Sequence, residues 1–279
     1  MQYLLLAILC SAMISLLMRL STDKVKGNVS MLAVNYITCI SVAAAFTGVG
    51  NLFPADAALG NALTLGGIQG ALYLLNFVLL QMNVRRSGVV LSSIFMKLGL
   101  LVSLAASILI FGETPTGLQI AGFAIAVAAI ILINMDGGES KKRGGIWLIV
   151  MLITGGLGDT MSKVFEQTGS PALAPQFLLY TFGLALILCI ALMIAKKQRI
   201  GKNELLFGVL IGVPNYFSAK FLLRSLEELN AVIVYPTFSV GTILVITLAG
   251  VIFFKERLSK RQWIAVAAIL AALVMLNIP

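Results

Sequence analysis

Long apolar stretches alternate along the chain with short polar or glycine-containing breaks, and the stretches have the length of membrane spans. A helix that crosses a bilayer needs about 20 mostly apolar residues. Ten stretches meet that requirement, roughly Gln2–Leu20, Ser30–Val49, Gly60–Met82, Ser87–Phe111, Thr116–Asn134, Gly144–Glu166, Pro171–Ala195, Glu204–Ser225, Ala231–Phe254 and Ser259–Asn277. The longest connections, around Asn51–Leu59 and Met135–Arg143, leave no room for a soluble domain. The pattern predicts an all-α integral membrane protein with ten transmembrane helices. A cleaved leader would show a basic start and a small-residue cleavage site; Met1–Cys10 has no charged side chain, so the first stretch is read as a helix of the bundle.

Composition agrees, with 59% hydrophobic and only 11% charged residues. In a soluble domain a net charge of +9 would point to nucleic acid, but here the position of the bases is a topology signal and no nucleic-acid partner is expected. Lysine and arginine concentrate in alternate connections: Arg19, Lys24 and Lys26 after the first helix, Arg85 and Arg86 after the third, Lys141, Lys142 and Arg143 after the fifth. Lys196, Lys197, Arg199 and Lys202 follow the seventh, and Lys255, Arg257, Lys260 and Arg261 surround the end of the ninth. The positive-inside rule puts these connections in the cytoplasm and both termini outside, in a multi-pass protein of the cell membrane.

A second copy of the same pattern is embedded in the chain. Phe111, Glu113, Gln119 and Asn134 recur as Phe254, Glu256, Gln262 and Asn277 at an offset of 143, and so do Tyr73 as Tyr216 and Leu79-Leu80 as Leu222-Leu223. With one more residue of offset Arg19 falls on Lys163 and Tyr36 on Tyr180. The unit is five helices, which divides the chain into a first repeat over residues 1–135, a polar connection over 136–143 and a second repeat over 144–279. An odd number of helices per unit forces the two copies into opposite orientations, the inverted repeat of carriers that work by alternating access.

Five plus five helices, with an aromatic-x-Glu at the Phe111-Gly112-Glu113 and Phe254-Lys255-Glu256 junctions, resemble the EamA-like branch of the drug/metabolite transporter superfamily over essentially the whole chain. The resemblance implies a secondary transporter for amino acids, drugs, phosphorylated sugars or nucleotide sugars. It carries Glu113 and Glu256 over as the family's end-of-helix glutamates, whose role at these helix boundaries is structural. Small multidrug members hold a coupling carboxylate in the first helix, and this chain has none there.

Candidate binding residues come from charges that cannot reach water, because an ionisable group inside a span costs roughly 2.5 kcal/mol or more and marks function by default. Lys97 sits near the middle of the fourth helix, Asp159 and Lys163 are one turn apart on the sixth, and Lys220 lies in the outer half of the eighth. The i, i+4 spacing puts Asp159 and Lys163 on one face as a partly neutralising pair, or as a coupling site for a proton or ion. Lys97 and Lys220 then leave the cavity net positive, which favours a carboxylate- or phosphate-bearing substrate; the structural alternative is that they bond to Asp159 or to helix carbonyls.

Proline frees the carbonyl four residues earlier, so Pro214-Asn215-Tyr216 before Lys220, with Tyr235-Pro236 in the ninth helix, marks a pocket. Gln69, Tyr73 and Asn76 share a face of the third helix, as substrate contacts or as interhelical hydrogen bonds. The clusters Gly66-Gly67-x-x-Gly70 and Gly155-Gly156-x-Gly158 read as close packing or as hinges. Cys10, Cys39 and Cys189 lack disulfide or zinc spacing, no phosphate-binding loop is present, and no histidine exists. No cofactor, metal or catalytic constellation is expected. The chain is read as a carrier of a small anionic metabolite, with proton-coupled export of cationic drugs or amines through Asp159 as the alternative and a channel or structural membrane partner as the non-transporter reading. Oligomeric state is not encoded in these patterns.

Overall fold

The computed structural model of the 279-residue chain describes every residue except 89–90, 93–94, 97, 112–115, 135–141, 230, 256–259 and 279. Among the described residues the elements are helical: α1 (Gln2–Ser21), α2 (Asn28–Thr47), α3 (Leu59–Ser87), α4 (Leu100–Phe111), α5 (Gly117–Asn134), α6 (Lys142–Thr168), α7 (Ala174–Ala195), α8 (Lys202–Glu228), α9 (Ala231–Phe254) and α10 (Lys260–Asn277). Short 3₁₀ turns precede α3 and α7 at Val49–Asn51 and Pro171–Leu173. Helices are what an apolar chain must form in lipid, where each backbone N–H and C=O has to be satisfied inside its own segment. Six of them are long and apolar enough to span a bilayer on length and composition alone, namely α1, α2, α3, α6, α7 and α8.

Local chemistry sets the helix ends. Gly88, at φ +83°, stops α3 five residues past the expected Met82. Lys197 takes the left-handed conformation at φ 51° just after α7. At the start of α5 the Thr116 N–H donates to Gln119 Oε1 at 2.9 Å and the Gln119 N–H donates to Thr116 Oγ1 at 3.3 Å. This reciprocal pair is a capping box, and it explains one of the residues that marks the repeat. Glu113 and Glu256, the other markers at these junctions, lie outside the described residues.

The expectation of one continuous helix over Ser87–Phe111 is corrected by a turn at Leu98–Gly99, ahead of α4. Here the chain lies against α6 so closely that a Cβ on Gly99 would stand 2.6 Å from the Gly156 nitrogen, and one on Gly156 would stand 2.2 Å from the Gly99 carbonyl oxygen. Glycine permits that approach and is also a weak helix former.

Exchanging each helix for the one five places along reproduces the main packing contacts among the described residues. α1 lies on α8 as α6 lies on α3, α2 on α8 as α7 on α3, and α1 on α9 as α6 on α4, while the α2–α7 and α5–α10 pairs map onto themselves. Glycines make corresponding contacts in both units. A Cβ at Gly70 would meet the Thr181 carbonyl oxygen of α7 at 2.3 Å, and one at Gly212 would meet Thr38 Cβ of α2 at 2.6 Å. Gly66 and Gly70 therefore serve close packing, one of the two readings of their cluster.

Connections gather by parity. On one face Arg85 Nη2 donates to the Thr22 and Val25 carbonyls and to Asn28 Oδ1, while Glu204 accepts from the Lys26 and Gly27 N–H groups at 2.9 and 3.0 Å and Gln198 accepts from those of Val29 and Ser30. The orphan N–H groups that any helix leaves at its start are thus supplied, for α2, by side chains from the far half of the chain. On the opposite face Gln176 donates to the Asn51 carbonyl and Tyr180 to that of Leu52.

Candidate functional site

A central cavity of about 100 Å³ lies between the two halves. Ser11 and Ile14 of α1, Tyr73 and Asn76 of α3, Thr154, Gly155, Gly158 and Asp159 of α6, and Asn215 and Ser218 of α8 line it, with Met96 and Phe238 completing the wall. The spacing 154, 155, 158, 159 is one stripe of α6, because residues three and four apart share a helix face. Asn215, Ser218, Ala219 and Leu222 form the matching stripe on α8.

Many of the lining positions are repeat mates. At the offset of 144 Ser11 corresponds to Gly155 and Ile14 to Gly158; at 143 Leu72 corresponds to Asn215 and Asn76 to Ala219. Their chemistry differs within each pair, so a nearly symmetric frame encloses an asymmetric interior.

Asp159 is the charged side chain on the described part of the lining, and it is half-buried. It lies close enough to the Tyr73 and Tyr235 phenols for its charge to act on both. Lys163, 4% exposed, follows one turn along α6, and both it and Asp159 are engaged by neighbours. Neutral polar groups complete the site: Asn215 Nδ2 donates to Asn35 Oδ1 at 3.3 Å, and the buried Asn76 Oδ1 and Tyr235 hydroxyl have no hydrogen-bond partner among the described residues. A buried polar atom left unpaired costs about 1–3 kcal/mol, so such groups are ready to accept or donate to a ligand.

The structure brings together Tyr73, Asn76, Asp159 and Asn215 of the residues singled out from sequence. Tyr216 and Lys220 line a different space of about 470 Å³ at the face that carries Phe46, Pro171 and Glu227. There the Lys220 ammonium sits 3.2 Å from the centroid of the Phe46 ring, which stacks on Tyr216 at 5.9 Å, and Glu227 is taken by Arg224. Tyr235 is buried and lines neither space. Lys97 lies outside the described residues. Gln69 Nε2 donates to Ser162 Oγ at 2.7 Å, an interhelical hydrogen bond. Sequence reasoning missed Ser11, Thr154 and Ser218 as lining residues, and took Gly155 and Gly158 as packing or hinge positions only; the detectable signals were the four-residue spacing of Gly155 to Asp159 and the three-residue spacing of Asn215 to Ser218.

Comparison with known proteins bears on the fold and on the second half of the chain. An uncharacterised protein of Haemophilus influenzae is 26% identical over 287 residues, covering 99% of this chain and 97% of that one. A protein of known crystal structure superposes with a TM-score of 0.68 at 16% identity, over 98% of this chain and 94% of its own, which is a likeness of fold. Residues 142–278 match the EamA-like transporter family, which takes in α6 to α10. Ten helices thus pack as two similar fives, and the second of them is the part of the chain that matches the EamA-like transporter family.

Proposed function

We propose that the protein is a secondary transporter of a small metabolite that carries an ammonium group beside its carboxylate, as an amino acid does. The single observation behind this reading is the central cavity, in which a carboxylate, Asp159, stands among amides, hydroxyls and phenols. An ammonium group on the substrate is the charge complementary to that carboxylate. The carboxylate end would meet the amides of Asn76 and Asn215. A volume of about 100 Å³ favours a small metabolite over a drug, since drug-sized ligands occupy sites of about 300–1,000 Å³.

In this reading the two halves rock about the cavity, with the Arg85–Glu204 face in the cytoplasm as the clustered bases suggest. Lys220 acts at the opposite mouth, where its charge attracts carboxylates before they reach the centre. The anionic-metabolite expectation rested on Lys97 and Lys220 together; the zwitterion retains its carboxylate and adds an ammonium group complementary to Asp159. Export of purely cationic amines is the second reading, favoured by the same carboxylate.

Thermal unfolding of the detergent-purified protein with glycine, alanine, serine, leucine, organic acids, sugar phosphates and alkylamines separates these readings, because a ligand of the folded state raises apparent stability. Stabilisation by small amino acids, lost in Asp159→Asn, is the expected result. Stabilisation by alkylamines alone would favour the cationic reading, and stabilisation only by acids or phosphates would contradict the ammonium site.

A further inference from the structure

Gly158 is the odd glycine of its cluster. It is buried on α6 beside Asp159 and lines the cavity, yet a Cβ built on it meets nothing within 4 Å. Buried glycines elsewhere in the bundle press on a neighbouring helix: a Cβ would come to 2.2 Å of backbone at Gly156 and to 2.3 Å at Gly70. Gly155, one turn earlier on the same stripe, already has Asn76 and the Met96 carbonyl at ordinary contact distance, between 3.4 and 3.6 Å. Packing therefore explains Gly156 and Gly70 but gives no reason for a glycine at 158.

The repeat sharpens the contrast. The mate of Gly158 at the 144-residue offset is Ile14, which lines the same cavity from α1. One unit fills its position with a branched side chain and the other leaves it open to the cavity.

We infer that Gly158 is the size-determining residue of the central site: the room it leaves next to Asp159 receives the side group of the amine-bearing substrate whose ammonium meets Asp159, and Ile14 bounds the same space from α1. The inference rests on the proposed function, and it adds which residue sets the upper size limit. It also separates two kinds of glycine within one sequence cluster, Gly156 for helix approach and Gly158 for the ligand.

The test compares Gly158→Ala and Gly158→Ile with Gly156→Ala, using the detergent-purified full chain and the series glycine, alanine, 2-aminobutyrate, valine and leucine as ligands. Without ligand, Gly158→Ala should melt within a degree or two of the wild type, whereas Gly156→Ala should melt clearly lower. With ligand, Gly158→Ala should shorten the stabilising series from its long end while keeping glycine, and Gly158→Ile should shorten it further. An unchanged series in Gly158→Ile, or a Gly158→Ala variant as destabilised as Gly156→Ala, would overturn the inference and leave the amino-acid reading standing. A wild type that responds to no member of the series, nor to alkylamines, would remove that reading and this inference with it.

Discussion

Glu204 shows how much one side chain can hold in place. Its Oε1 accepts the Lys26 and Gly27 N–H groups and its Oε2 accepts that of Gly201, so a single buried carboxylate secures the α1–α2 connection and caps α8. Glu204→Gln keeps the shape but turns one acceptor into a donor that faces N–H groups, and it should lower stability by about 2 kcal/mol, measured as a drop in the melting temperature of the purified protein. Lys220→Met, similar in length but uncharged, removes the cation over Phe46. It should leave the fold intact and weaken the response to amino acids several-fold; an unchanged response would show that the mouth takes no part in binding. Asp159, which the proposal puts at the centre of the site, was legible as a candidate because a charge inside a span is conspicuous. Gly158, Ser11, Thr154 and Ser218 were much less so, since small residues in an apolar helix give the same signal whether they pack or face a cavity.

Among elements, the sequence period accounted for what the helices are, and their ends came from single residues that hydropathy does not weigh. Gly88 ends α3 beyond its apolar stretch, and the close Gly99–Gly156 approach accompanies the turn that interrupts the fourth span. Asn215, Tyr216 and Lys220 read as one pocket because a proline precedes them, but successive helical residues point about 100° apart. Asn215 therefore faces the centre and Tyr216 and Lys220 face the mouth. Two substitutions test the helix-level description. Gly70→Ala forces a methyl against the Thr181 carbonyl where α3 crosses α7, and should cost about 1–3 kcal/mol. Lys197→Gly relieves a left-handed residue just past the end of α7 and should stabilise by about 0.5 kcal/mol, after the entropy lost by glycine offsets part of the gain. Both are read from thermal or denaturant unfolding in the same detergent.

For the whole molecule, the repeated packing makes two related units, and alternating access needs only that both ways of closing them be similar in free energy. The described structure ties one face with the Arg85, Gln198 and Glu204 bonds and leaves a larger opening at the other, beside Lys220. The asymmetry of the proposed site sits inside the frame, where Asn76 corresponds in the repeat to Ala219, Asn215 to Leu72, and Gly158 to Ile14. Counterflow in proteoliposomes tests the proposed transport most directly: vesicles loaded with unlabelled alanine are diluted into labelled alanine, with wild type and Asp159→Asn side by side. Transient accumulation of label by the wild type, abolished in Asp159→Asn and absent from empty vesicles, is the predicted result. Equal accumulation by the two proteins would contradict an ammonium site at Asp159, and no accumulation of alanine or of any other small amino acid would contradict the amino-acid reading.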